Sequence, residues 1–180
     1  MSVTKPEPDE SRDLGPEADP ESVARKILLD QLTGRARTRS ELADKLRKRN
    51  VPQDIATRLL DRFEEVGLID DAAFAEDWIA QRQSTRGLAK RALALELKRK
   101  GLEDDVARSA LGEIDRDAEE AAARDQVRRK LRSMRGLDAE RATRRLVGML
   151  ARKGHSAGVA YRIVREELEA AGSSALEERE

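Results

Sequence analysis

The amino-acid sequence predicts an all-α protein in which tandem three-helix modules form an elongated, curved array. Three observations carry this expectation. Three stretches read alike, each a basic apolar stripe closed by a turn residue: Leu42–Val51, Leu93–Leu102 and Leu146–His155. Their turn residues Asn50, Gly101 and Gly154 stand 51 and 53 residues apart, a period proper to helical repeats. Aromatic residues are limited to Phe63, Phe74, Trp78 and Tyr161, so a core must be built from Leu, Ile, Val and Ala. That suits narrow helical layers better than a deep aromatic-lined pocket.

Each element has its own signals. Residues 1–20 hold Pro6, Pro8, Pro16 and Pro20 among acids and are expected to form a disordered acidic tail. The first module, 21–69, opens with a helix from about Glu21 to Leu32, with Val23, Ile27, Leu28 and Leu32 as its stripe. Thr38 and Glu41 have the spacing of a capping box. They start a second helix with Leu42 and Leu46 on one face. Asn50 is suited to the left-handed residue that closes it, and Pro52 suits the first turn of a third helix with Ile55, Leu59, Leu60 and Phe63.

Module two, 70–114, begins at Asp70 or Asp71 as a cap. Its first helix runs from about Ala72 to Ser84, with Phe74, Trp78 and Ile79 inward. After a break at Thr85–Gly87, a helix to about Lys100 buries Leu88, Leu93 and Leu97. Gly101 ends it, and a stripe of Val106, Ala110 and Leu111 follows. Module three, 115–170, repeats the plan. Its highly charged first helix, 115–133, has few apolar anchors beyond Val127 and Leu131. Asp138 caps the next helix, Gly154 ends it, and Val159, Ile163, Val164 and Leu168 mark the last. Residues 171–180 are expected to fray as an acidic tail.

The formal charge of zero, 36 bases against 36 acids, conceals a division. Residues 1–23 hold seven acids and two bases, and residues 166–180 six acids and one base. The body between them carries a net charge of +10, which attracts nucleic acid or an acidic protein groove. The turns at Asn50, Gly101 and Gly154 have about the length of a helix-turn-helix turn. However, the helices after them are poor in bases, which argues against sequence-specific reading of a duplex.

Enzymatic chemistry is not expected. Cysteine is absent and His155 is the only histidine, so the usual nucleophile and zinc constellations cannot be assembled. His155 is read as a turn residue or helix start. Asp70-Asp71 is explained by capping and Glu119-Glu120 by a mixed charged helix, and the glycines stand singly at helix ends rather than in a phosphate-cradling loop. No cofactor or metal is expected. No apolar run spans a bilayer and no secretory segment is evident, so a cytoplasmic protein is expected.

Binding is the better reading. The clusters Lys45, Arg47, Lys48, Arg49; Lys98, Arg99, Lys100; and Arg152, Lys153 recur with the structural period. They form a candidate ladder along a filament or polynucleotide backbone. Arg82, Arg86, Lys90 and Arg91 make a second group in the central module. The plainer role of each base is to sit exposed at a helix end, favoured by the dipole. Trp78 is assigned to core packing rather than to an interface.

The run Gly67-Leu68-Ile69-Asp70-Asp71-Ala72-Ala73-Phe74-Ala75, followed by Trp78 and Arg82, resembles the RecX regulatory proteins of bacteria. Lys98-Arg99-Lys100-Gly101-Leu102 is similar to that family's basic helix end, and the likeness covers roughly residues 21–168. The resemblance implies tandem three-helix modules that bind the RecA recombinase or its DNA filament. It also implies a monomer that inhibits RecA's ATPase, recombinase and coprotease activities in DNA repair, recombination and the SOS response, with weak direct contact to DNA and no membrane association. It marks Asp70, Asp71, Phe74 and Trp78 as scaffold, Arg82 as the exposed functional member and Lys98, Arg99 and Lys100 next. Lys45 to Arg49, Arg152 and Lys153 follow from the period alone, with Asn50, Gly101 and Gly154 as structural turn residues.

Overall fold

The computed structural model describes residues 19–134 and 138–177, with side chains described to residue 172. Within them the chain is all helix: α1 Pro20–Leu32, α2 Arg39–Lys48, α3 Gln53–Glu65, α4 Asp71–Arg86, α5 Lys90–Arg99, α6 Asp104–Gly112, α7 Arg116–Arg132, α8 Ala139–Arg152 and α9 Ala157–Glu177. Every strong helix–helix packing lies inside a triplet, α1–α3, α4–α6 or α7–α9. Each triplet has its own apolar core. Leu28, Leu42, Leu46 and Leu60 anchor the first, Phe74, Leu93, Leu97 and Leu111 the second, and Val127, Leu146, Leu150 and Ile163 the third. Such small cores suit a fold whose stability is a sum over modules and their junctions.

Local sequence explains the boundaries. Thr38 Oγ1 accepts the Glu41 N–H at 3.1 Å while the Thr38 N–H donates to the Glu41 carboxylate at 3.3 Å, closing the capping box. Asp70 and Asp138 each accept the N–H three residues on, from Ala73 and Arg141. At the far ends of α2, α5 and α8, Asn50, Gly101 and Gly154 take φ of 56°, 74° and 96°. The next N–H then folds back onto the last turn: Val51 to Leu46 O, Leu102 to Leu97 O and His155 to Leu150 O. This is the left-handed closure that satisfies helix-end carbonyls.

Four expectations need correction. Asp19 and Pro20 belong to α1 as its N-cap and first residue, not to the acidic tail; residues 1–18 lie outside the described residues. Ala24, not Val23, shares the buried face with Leu28, leaving Val23 40% exposed. Ala is the better helix former, and its small side chain is fully buried there. Helix α4 continues through Thr85 to Arg86, because Ser84 and Thr85 bond back to the Gln81 carbonyl without breaking the helix. Beyond Ala171, α9 stays helical to Glu177.

The weak apolar anchoring of α7 has a compensation. Arg124 donates to Glu166 at 2.5 Å, Arg128 grips Glu167 with two bonds at 2.7 and 3.0 Å, and Arg162 of α9 returns to Glu120 at 2.7 Å. A ladder of guanidinium–carboxylate pairs thus seats α7 on α9 where Ala and a single Val leave little hydrophobic area.

Candidate functional site

The modules meet end to end through their second helices. At the first junction the N-terminus of α2 faces the C-terminus of α5. Thr38 Oγ1 donates to Lys100 O at 2.8 Å, and the Lys100 ammonium reaches Glu41 at 2.7 Å. The Arg39 N–H, an orphan donor of the first turn, is satisfied by Asp71 of the next module at 2.9 Å. At the second junction the N-terminus of α5 faces the C-terminus of α8. The Ala89 N–H donates to Lys153 O at 2.8 Å, Lys153 Nζ donates to the Arg86 carbonyl, and the Lys90 N–H is satisfied by Glu119 at 2.7 Å. The two junctions are one design used twice. An acid from the first helix of the following module caps the second helix of the preceding one.

Gly101 and Gly154 are constrained twice over. Beyond their left-handed backbone, a Cβ on Gly101 would stand 2.2 Å from Ser40 Oγ and 2.5 Å from its Cβ. On Gly154 it would stand 2.7 Å from the backbone nitrogen of Ala92. Asn50, at the outer end of the array, abuts no module and is exposed, so a residue with a side chain is tolerated there.

Behind the first junction lies a mixed aromatic and charged cluster. Phe74 stacks on Trp78 with ring centroids 5.6 Å apart. The Trp78 Nε1–H and Arg82 Nε–H both donate to Glu96 Oε2, at 2.9 and 2.8 Å, while Arg86 approaches the other oxygen at 3.3 Å. The Arg82 guanidinium lies 4.0 Å and the Lys100 ammonium 4.4 Å from the Trp78 ring centroid, within cation–π reach. Burial pushes the Glu41 carboxyl up, but the Lys100 ammonium and the Thr38 N–H outweigh it and hold it below its ordinary value. Burial raises Asp71 despite Arg39. In the second junction burial lowers Lys153, with Arg86 and Arg129 adding to the effect, and burial lowers His155.

This geometry revises the expected site. Arg82 is not an exposed member: its side chain is 24% exposed, paired with Glu96 and laid on Trp78. Lys100, 19% exposed, is a latch between modules, and Lys153 occupies the matching place. Trp78 is half-buried against the second core. Asp70 and Asp71 act as caps, within one module and across two. Lys90, Arg91, Lys98 and Arg99 are exposed, as are Lys45, Arg47, Lys48, Arg49 and Arg152. Arg47 pairs locally with Asp44 at 2.8 Å. The period therefore brings Lys100 and Lys153 to equivalent junctions, while the other bases of those clusters stay at the surface. The sequence does not single out Glu96 or Ser40, and it gives Glu119 only a place in a mixed charged helix rather than a role at a junction. Their partners lie elsewhere in the chain, and no local pattern marks them.

Comparisons with known proteins agree with this construction. Three family models match in order: the RecX first three-helix domain at residues 24–63, the second at 70–111 and the third at 117–164. The chain belongs to the RecX family. It is 54% identical to "Regulatory protein RecX" of Streptomyces lividans over 157 residues, covering 87% of this chain and 84% of that one. It is 50% identical to the RecX of Mycolicibacterium smegmatis over 153 residues, covering 82% and 81%. The crystal structure of RecX from Lactobacillus salivarius shares the fold at 23% identity, with a TM-score of 0.75 over 83% of this chain and 97% of that one. Among the described residues no helix is long and apolar enough to cross a membrane.

Proposed function

We propose that this protein binds the RecA recombinase or its DNA filament in the cytoplasm and inhibits RecA's ATPase, strand-exchange and coprotease activities. It acts as a monomer and performs no chemistry of its own. The supporting observation is the pair of equivalent junctions, in a chain that belongs to a family named for regulation. Latched modules hold their exposed bases at a repeating interval, which suits a partner that is itself a repeating assembly. Lys98 and Arg99, exposed beside the first junction, and Lys90 and Arg91, exposed beside the second, are the contact residues proposed from the central module.

The test is RecA ATP hydrolysis on single-stranded DNA, titrated with this protein. Hydrolysis falls with added protein, and Lys98→Glu with Arg99→Glu weakens the inhibition while helicity is unchanged. Full ATPase activity at saturating protein, with no co-sedimentation on filaments, removes the proposal. A second reading, direct DNA binding without RecA, is favoured by the net charge of +10 on residues 24–165.

A further inference from the structure

Many arginines among the described residues pair with a nearby carboxylate. On the α9 side of α7, Arg124 and Arg128 face Glu166 and Glu167. The α8 side of the same helix is different. There Lys130 of α7 and Arg144, Arg145 and Arg152 of α8 line a cavity of about 690 Å³, joined among the described residues by Met149. Lys130 and Met149 also line the adjoining cavity over the second junction, which adds Arg86, Arg129 and Lys153. The two cavities form one groove whose walls, among the described residues, hold seven bases and no carboxylate. Arg144 pairs with Glu140 at 3.3 Å and Arg86 with Glu96 at 3.3 Å, both outside the groove walls. Among the described residues, Arg129, Lys130, Arg145, Arg152 and Lys153 have no carboxylate within ion-pair distance.

Concentrating cations in this way is unfavourable for the free protein. Lys153 is held below its ordinary basicity first by burial and then by the nearby Arg86 and Arg129. An anion entering the groove relieves the mutual repulsion. The rest of the wall narrows the choice of anion. Gln83, Ser84, Thr85 and Gln126 supply neutral hydrogen-bonding groups at the junction end. Among the described residues the groove has one apolar side chain, Met149, and no aromatic one. A protein partner needs an apolar centre to its interface, whereas nucleic-acid interfaces are polar and strongly positive. Without aromatic side chains the groove lacks the principal platforms on which successive bases stack.

We propose that this groove, running between α7 and α8 and across the second junction to Arg86, binds the sugar–phosphate backbone of a nucleic acid without reading its bases. The proposal rests on the second reading above and is independent of the first. Because the groove crosses a junction, a bound backbone ties the second module to the third through phosphates as well as through Lys153.

The test uses the full chain and a labelled oligothymidylate in the absence of RecA, with affinity followed against salt by fluorescence anisotropy. A quadruple variant, Arg129→Gln, Lys130→Gln, Arg145→Gln and Arg152→Gln, alters only exposed side chains. It is expected to bind at least about tenfold more weakly and to flatten the slope of log K against log salt by about 2 to 3. A control with as many exposed, locally paired bases changed (Arg25→Gln, Lys26→Gln, Arg62→Gln and Arg165→Gln) stays within about twofold of the parent, since those charges are already neutralised nearby. Circular dichroism establishes that both variants are folded. Equal weakening by the two variants, or none by the groove variant, overturns the groove proposal while leaving DNA binding standing. No binding by the parent chain at low salt overturns both. Unchanged DNA binding with lost binding to an acidic protein assigns the groove to a protein partner and overturns the phosphate assignment.

Discussion

The two junctions share a plan and differ in electrostatics. In the first, the helix-end lysine finds a carboxylate: Lys100 and Glu41 sit 2.7 Å apart, both largely shielded from water. In the second, the position matching Glu41 is Ala92 and the position matching Thr38 is Ala89. Lys153 is left with a backbone carbonyl and two neighbouring arginines. Backbone geometry holds the second junction together, whereas a charge pair reinforces the first. One repeat unit has thus been fitted once for cohesion and once for surplus positive charge.

Substitutions at the close-approach glycines test the comparison most severely. Gly154→Ala drives a Cβ into the backbone nitrogen of Ala92 and strains a left-handed residue. It is expected to cost about 3 kcal/mol in denaturant unfolding. Gly101→Ala meets only the Ser40 side chain and costs about 2 kcal/mol. Ser40→Gly should recover part of the second loss, while Ala92→Gly should not recover the first. If both pairs are rescued alike, the backbone contact at Ala92 is not the constraint.

The lysines come next. Lys100→Met removes one partner of a shielded ion pair and strands Glu41, at about 1–2 kcal/mol. Lys153→Met removes a cation that its surroundings disfavour and is expected to change stability by less than about 0.5 kcal/mol. Equal losses at the two sites would erase the distinction drawn between the junctions.

The smallest effect is in pH. His155 is buried at the second junction, 7% exposed, and among the described residues its Nε2 has no hydrogen-bond partner. Burial depresses its proton affinity, and Lys153 acts in the same sense, while Glu119 and Glu120 act in the other. The unfolded chain therefore binds the proton more readily. The second junction loses stability as pH falls through the ordinary histidine value of about 6.5 and toward the lowered native one. Glu41 is depressed too, so the stability from its pairing is lost only at more acidic pH, below the ordinary carboxylate value near 4.5. The melting temperature of the parent should drop between pH 7 and pH 5, and that of His155→Gln less. An identical drop in the two proteins would place the titrating group elsewhere.

Much of the fold was legible because its signals are local. Capping at Thr38, Asp70 and Asp138, left-handed closure at Asn50, Gly101 and Gly154, and apolar spacing each depend on a few neighbouring residues. The buried position falls to Ala24 rather than to the bulkier Val23, because Ala24 shares the face of Leu28. The site was less legible. Lys100 looked like one more exposed base because its partner Glu41 is 59 residues away, and Arg82 looked free because Glu96 sits on another helix. One clue was present: Lys100-Gly101 and Lys153-Gly154 are the same dipeptide, whereas the first module has Arg49-Asn50. The repeated pair marks the ends that dock, and the exception marks the end that does not. The α7–α8 groove could not be inferred from charge runs, because its bases are gathered from three helices.

End-to-end docking of second helices has a consequence for orientation. The outer terminus of α2 presents carbonyls among Lys45, Arg47 and Lys48, while the outer terminus of α8 presents Asp138 and Glu140. The molecule is therefore an arrow, with bases clustered at one end and, at the other, acids matched by Arg141 and Arg144. Laid along a track whose two directions differ chemically, it has one matched way round and one mismatched.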